Sequence, residues 1–200
     1  MVRLALALTV LAGCASTPPA SFYVLTPLQE AEDREATLSD EGVALAVGPA
    51  AFPDFLKRPQ IVSRAGSNRL ELDELNRWGG SLEDSFLRVL GENLAHLLGT
   101  ANVLVYPSEV RLPVRFRVMA NVLRFEGGGD GHALLKVRWA VVDPYDARPL
   151  VVRESRYRNP IRAAGDEALV AALSACLGDF SRDVATAVMQ LPTPRAAPLG

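Results

Sequence analysis

Histidine and cysteine are the scarcest chemistry in this chain: among 200 residues there are two of each. His96 stands in a helical pattern and His132 beside a glycine turn, with no HExxH and no cysteine pair, so no His- or thiolate-based metal centre can be assembled from local spacing. Aromatics make up 6 % of the chain, and nothing marks the aromatic-lined cleft that sugar chemistry would want. An excess of one charge is also missing. With 21 basic and 23 acidic residues, there is no bulk argument for nucleic acid or for a polybasic membrane segment. Long apolar runs are absent too: the longest, residues 2–13, falls short of the about 20 residues that a membrane crossing needs. The glycine-rich GGGDG at 127–131 lacks the Lys-Ser/Thr ending and the following helix of a phosphate-binding loop.

The N-terminus is informative. One basic residue, Arg3, precedes an apolar run from Leu4 to Ala12, and Leu11, Ala12 and Gly13 stand directly before Cys14. These are the parts of a secretory signal whose cut would expose a cysteine to acylation. Residues 1–13 therefore read as a lipoprotein signal and 14–20 as a lipidated tether. Ser16, Thr17, Pro18, Pro19 and Ala20 cannot form a helix and hold the body slightly off the bilayer. Ala15, rather than Asp, after the lipidated position favours the outer membrane of a Gram-negative cell. Cleavage would leave 187 residues, which suits one domain with a sizeable core. Cys176 would then have no partner for an intramolecular disulfide. Its place on the apolar side of a helical pattern, beside Leu173 and Phe180, reads as a packed thiol.

Periodicity supplies the element order. Strands are expected over residues 21–26, 43–47, 60–64 and 69–72, with a polar, acidic loop over 29–41 and a short turn or helix over 53–57. Ser81 caps a helix whose stripe is Leu82, Phe86, Leu90, Leu94 and Leu97 and which ends at Gly99. A short strand over 102–106 follows. Residues 114–122, 135–141 and 150–157 then form a three-stranded antiparallel meander. The second long helix, 166–191, carries Leu169, Leu173, Cys176 or Leu177, Phe180, Val184 and Val188 on one face. Residues 192–200 read as a disordered Pro- and Ala-rich tail. Two helices laid on one mixed, partly antiparallel sheet bury every stripe in a single α/β core over residues 21–191.

Few side chains offer chemistry beyond packing. Glu71, Asp73 and Glu74 stand at the end of a strand near Trp78 and could in principle serve as an acid and base. Arg115 with Arg117, Lys136 with Arg138, and Arg156 with Arg158 each share one side of a meander strand. In register they would form a basic stripe, able to meet carboxylate or phosphate; cross-strand pairing with Glu154 is the plain alternative. In the first strand Phe22 is expected in the core and Tyr23 on a partner. Trp78 is expected to staple the first helix or to anchor an interface.

Several segments together, SFYVLTP at 21–27, RPQIVSRAGSNRLEL at 58–72, RW at 77–78 and LEDSFLRVLGENLAHLL at 82–98, resemble the PqiC/YmbA family of auxiliary lipoproteins of ABC-type and MCE transport systems. Arg58, Pro59, Gln60, Ile61 and Val62 match the motif strand, Asn68 and Leu70 the hairpin, and Trp78, Leu82 and Phe86 the start of the helix. Gly79 and Gly80 depart from the Ala-Glu often found there. The resemblance implies no catalysis and no cofactor. It implies a periplasm-facing outer-membrane lipoprotein that works with an inner-membrane transport component and an MCE-domain protein. The implied fold is akin to the TolB N-terminal, anticodon-binding-like type. An envelope hydrolase, or a structural protein-binding lipoprotein without a transport role, are the other readings. A docking surface is expected at Tyr23, Arg58, Gln60, Arg64, Asn68 and Trp78, with the 58–62 segment at or beside a sheet edge. The same surface would equally suit a homo-oligomer.

Overall fold

The computed structural model describes residues 19–29, 43–110 and 113–192. The signal, Cys14, most of the tether, nearly all of the 29–41 loop and the tail beyond Pro192 lie outside these residues.

Eight strands form one sheet, with two helices on one side of it. In chain order they are β1 (Ser21–Tyr23), β2 (Leu45–Ala51), β3 (Gln60–Arg64), β4 (Leu70–Trp78), α1 (Leu82–Leu98), β5 (Val103–Val105), β6 (Phe116–Gly128), β7 (His132–Val142), β8 (Pro149–Pro160) and α2 (Asp166–Gln190). A 3-10 turn, Asp54–Leu56, precedes β3. The 13-residue β6 organises the sheet. Along one side it pairs antiparallel with β7, which pairs antiparallel with β8. Along the other its first half runs parallel to β2 and its last residues parallel to β3. Beyond β2 lies β5; beyond β3 lie β4 and then β1.

The helices form where the pattern requires them. Ser81 Oγ accepts the N–H of Asp84, acids stand in the first turn, and Gly99 closes α1 in the left-handed region at φ 62°. Leu82, Phe86, Leu90 and Leu94 are buried, as are Leu169, Leu173, Cys176, Leu177, Phe180, Val184 and Val188 of α2. An aromatic cluster ties the layers together. The Phe86 ring meets Phe52 edge-on at 5.4 Å, Phe125 at 5.7 Å, and stacks on Phe180 at 6.2 Å. Phe180 in turn meets Trp139 of β7 and Tyr157 of β8.

Residues 24–28 lie as a strap across both helices. Leu25 is buried, and its carbonyl accepts from Arg88 Nη2 of α1. The N–H of Thr26 donates to Ser174 Oγ of α2, and that of Leu28 to Asn93 Oδ1 of α1. Asn93 Nδ2 donates to Ser181 Oγ of α2 at 3.0 Å, so one buried amide joins strap, α1 and α2.

Several expectations are corrected. β1 ends at Tyr23 rather than 26 because the chain leaves the sheet to become the strap. It runs parallel to β4 with Tyr23 opposite Trp78 on the packed side and Phe22 opposite Arg77. Phe22 is therefore 67 % exposed while Tyr23 packs on the core, the reverse of the expected assignment. β2 continues through the cis Gly48–Pro49 bond with a register shift. β4 extends to Trp78, which places Glu71, Asp73 and Glu74 in mid-strand. β3 lies between β4 and β6 in the strand order, but β6 reaches it only at Ser63 and Arg64; Ile61 and Val62 pair with β4 alone and are buried.

Candidate functional site

The residues expected to dock a partner separate into two groups at the ends of the β3–β4 hairpin, about 13 Å apart along β3. At one end, Tyr23 donates from its hydroxyl to Asn76 Oδ1 at 3.3 Å. Gln60 Nε2 donates to Glu74 Oε2, and the N–H of Trp78 to the carbonyl of Pro59 at 2.7 Å. Trp78 is buried, so its ring serves packing. Arg58 lines a 420 Å³ cavity with Phe52, Leu56 and the α1 start, Gly80–Glu83, and its buried Nε has no hydrogen-bond partner. At the other end Asn68 is exposed in the turn. Arg64 is committed to the fold: its Nε donates to Glu126 Oε1 at 2.6 Å and its Nη2 to Oε2 at 3.3 Å.

Glu126 is the residue that sequence reasoning missed. It projects from the sheet side away from the helices, yet it is fully buried, because Arg64 and Arg124 close over it. The irregular register between Val122 and Arg124 places it there, and alternation counted along β6 does not reveal such a slip.

The meander brings Lys136 and Arg156 into register, but not the expected Arg117, which stands opposite Val142 at the far end of β7. Arg124, Lys136 and Arg156 stand opposite one another across β6, β7 and β8. Three like charges side by side are unfavourable unless acids interleave. Glu126 takes Arg124, and Glu154 takes both Lys136 and Arg138 at 2.9 Å; these two cations hold the Glu154 carboxyl below its usual range. Arg158 pairs with Asp130 of the turn at 2.8 Å. Among the described residues, Arg117 and Arg156 have no acid partner within 4 Å. Arg115 lies just before β6 begins.

Among the described residues, the groups with shifted pKa values sit in packing contacts. The Cys176 thiol lies near the carbonyls of Ala133 and Tyr157, and burial pushes its pKa up, away from the reactive thiolate. Burial also raises Tyr157, whose hydroxyl donates to Asp183 at 2.7 Å. Asp73 is held low by the Asn76 side chain and the Leu75 N–H. Asp166, at the start of α2, is raised first by burial and then by the Asp73 charge. This coupled pair stands beside strand residues fixed by Asx-type bonds. No group of three or more metal-ligating side chains occurs among the described residues, and none of their helices is long and apolar enough to cross a membrane.

The fold and its surface thus define a helix-backed, mixed-sheet domain whose polar groups serve packing and contact. The chain belongs to the family of ABC-type transport auxiliary lipoprotein components, whose family model matches residues 23–185. It is therefore an auxiliary part of a transport system and not an enzyme. Solved structures with the same fold include an uncharacterised protein, 19 % identical with a TM-score of 0.68, covering 86 % of this chain and 99 % of its own. A protein from Xanthomonas campestris is 16 % identical, also at 0.68, covering 86 % and 98 %. A comparison with curated protein sequences found no match.

Proposed function

We propose that this chain is the outer-membrane-anchored, periplasm-facing docking subunit of an MCE/ABC-type system that moves lipid between membranes. Residues 1–13 are the signal, Cys14 carries the lipid, 14–20 form the tether and 21–191 the working domain. The observation that carries this reading is the family match over residues 23–185 in a chain that also places Cys14 behind Leu11, Ala12 and Gly13. A physical need supports it. Lipid tails cannot cross water unshielded, since each exposed methylene costs about 0.8 kcal/mol, so a protein bridge needs a receptor at its outer end. The partners are an MCE-domain protein and an inner-membrane component, with assembly of this chain into a ring as a compatible form. Arg58, Gln60 and Asn68 form the partner surface, while Tyr23, Arg64 and Trp78 support it from within. The layer order suits kinship with the TolB N-terminal type.

The experiment is fractionation with Cys14→Ser. The substituted chain should lose acylation and leave the outer-membrane fraction, and the wild-type chain should co-purify with a co-expressed MCE protein. A wild-type protein with a free thiol at residue 14 would defeat the anchor. Absence of co-purification from a correctly anchored protein would defeat the docking role.

A further inference from the structure

Beyond the lipid anchor, we propose that the open side of the β6–β7–β8 sheet is a second membrane contact, resting directly on anionic phospholipid headgroups. The proposal rests on the anchored reading only for the chain's proximity to a bilayer.

The charge is segregated. The whole chain is net negative by two, yet on this side of the sheet seven cations, counting Arg64, face three acids, Glu126, Glu154 and Asp130. Glu126 is fully buried, so its charge is covered while the guanidinium stems above it remain in reach of solvent. Arg117 and Arg156 have no acid partner among the described residues, and Arg138 keeps 59 % and Arg158 43 % of its side chain exposed. Guanidinium groups are suited to phosphate oxygens.

Beside the cations runs an apolar row. Met119, Ala140 and Val152 stand opposite one another across the three strands, with Met119 37 % and Val152 63 % exposed. Cations next to a shallow row of exposed apolar side chains are the composition of an interfacial surface, in which apolar groups enter the headgroup boundary and the basic groups meet phosphate. An acidic protein partner would be expected to insert an anchor into a pocket at the centre of the contact. Here the cations are instead spread along three strands. Reach is adequate as well: seven residue steps from Cys14 to Ser21 span at most about 25 Å, and β1 lies at the margin of the sheet rather than in the helix layer.

The test is co-sedimentation of the exported chain carrying Cys14→Ser, so that no acyl chain holds it, with phosphatidylcholine vesicles with and without about 30 % phosphatidylglycerol. Binding is expected only to the anionic vesicles and should fall as salt is raised. Arg117→Gln with Arg156→Gln should weaken it about 30-fold, since each cation near such a surface is worth about fivefold, with an unchanged melting temperature because neither breaks an ion pair. No binding, equal binding to neutral vesicles, or insensitivity to the double substitution would each overturn the proposal. None of these outcomes touches the anchor, which fractionation of the acylated chain reads separately.

Discussion

At the residue scale, Arg64 and Arg58 show how alike two arginines look in sequence and how differently they behave in the fold. Both belong to the RPQIVSR segment, and charge reversal at both would on sequence grounds be expected to disturb docking while sparing stability. The structure separates them. Arg64 makes a forked pair with the fully buried Glu126, and Arg64→Glu would remove it and set a second carboxylate against that charge with only Arg124 left to hold it, which costs about 3 kcal/mol. Arg64→Glu is therefore expected to lower stability by that order in urea unfolding. Arg58→Gln should shift it by less than about 1 kcal/mol, because the Arg58 Nε has no partner to lose. Equal unfolding midpoints for the two variants would show that the Glu126 pair contributes nothing.

At the scale of elements, the strap is held by side chains that sequence patterns do not predict. Asn93 occupies a position on α1 where an apolar residue would satisfy the stripe, yet its amide serves the Leu28 N–H and the Ser181 hydroxyl at once. Asn93→Ala strands a buried donor and loosens both helices, a loss of about 2–3 kcal/mol. Hydrogen exchange at Leu28 should rise with it; protection equal to wild type at Leu28 would count against the strap. The start of α2 gives a second expectation. Asp166 has a raised folded pKa, so its contribution to stability is complete below the unfolded carboxyl value and is lost as pH rises through the folded one. Asp73, with a lowered pKa, contributes in the opposite sense, losing its share as pH falls. Asp166→Asn should accordingly melt above wild type at pH 7, with the advantage vanishing below about pH 4. A difference independent of pH would mean that the fold does not raise the Asp166 pKa.

For the whole molecule, the aromatic cluster makes the sheet and both helices one cooperative unit. Phe86 touches Phe52, Phe125 and Phe180, and it is fully buried. Phe86→Ala should cost about 3–5 kcal/mol through the cavity it leaves. Unfolding followed at Trp78, on β4, and at Trp139, on β7, should shift by the same amount. Separate transitions at the two tryptophans would show that the meander and the hairpin half of the sheet unfold independently.

The sequence by itself determined what depends on neighbours along the chain. The Ser81 cap and Gly99 stop bounded α1, strict alternation revealed the meander, the apolar stripes named Phe86 and Phe180 as core, and the RPQIV segment with the α1 start carried the family resemblance. These are short-range properties, because helix and strand periods depend on local geometry alone. Tertiary structure decided what depends on contacts between distant segments. Phe22 and Tyr23 exchanged roles because β1 paired with β4 in one particular register, and no periodicity within three residues can specify that choice. Ser63 and Arg64 of β3 became interior to the sheet because β6 was long enough to pair with β2 and then with β3. Glu126 was buried by two arginines, one of them 62 residues away in the chain. The partner-surface residues divided for the same reason: sequence adjacency kept Arg58 and Arg64 in one motif, while the sheet gave one a cavity and the other a buried charge.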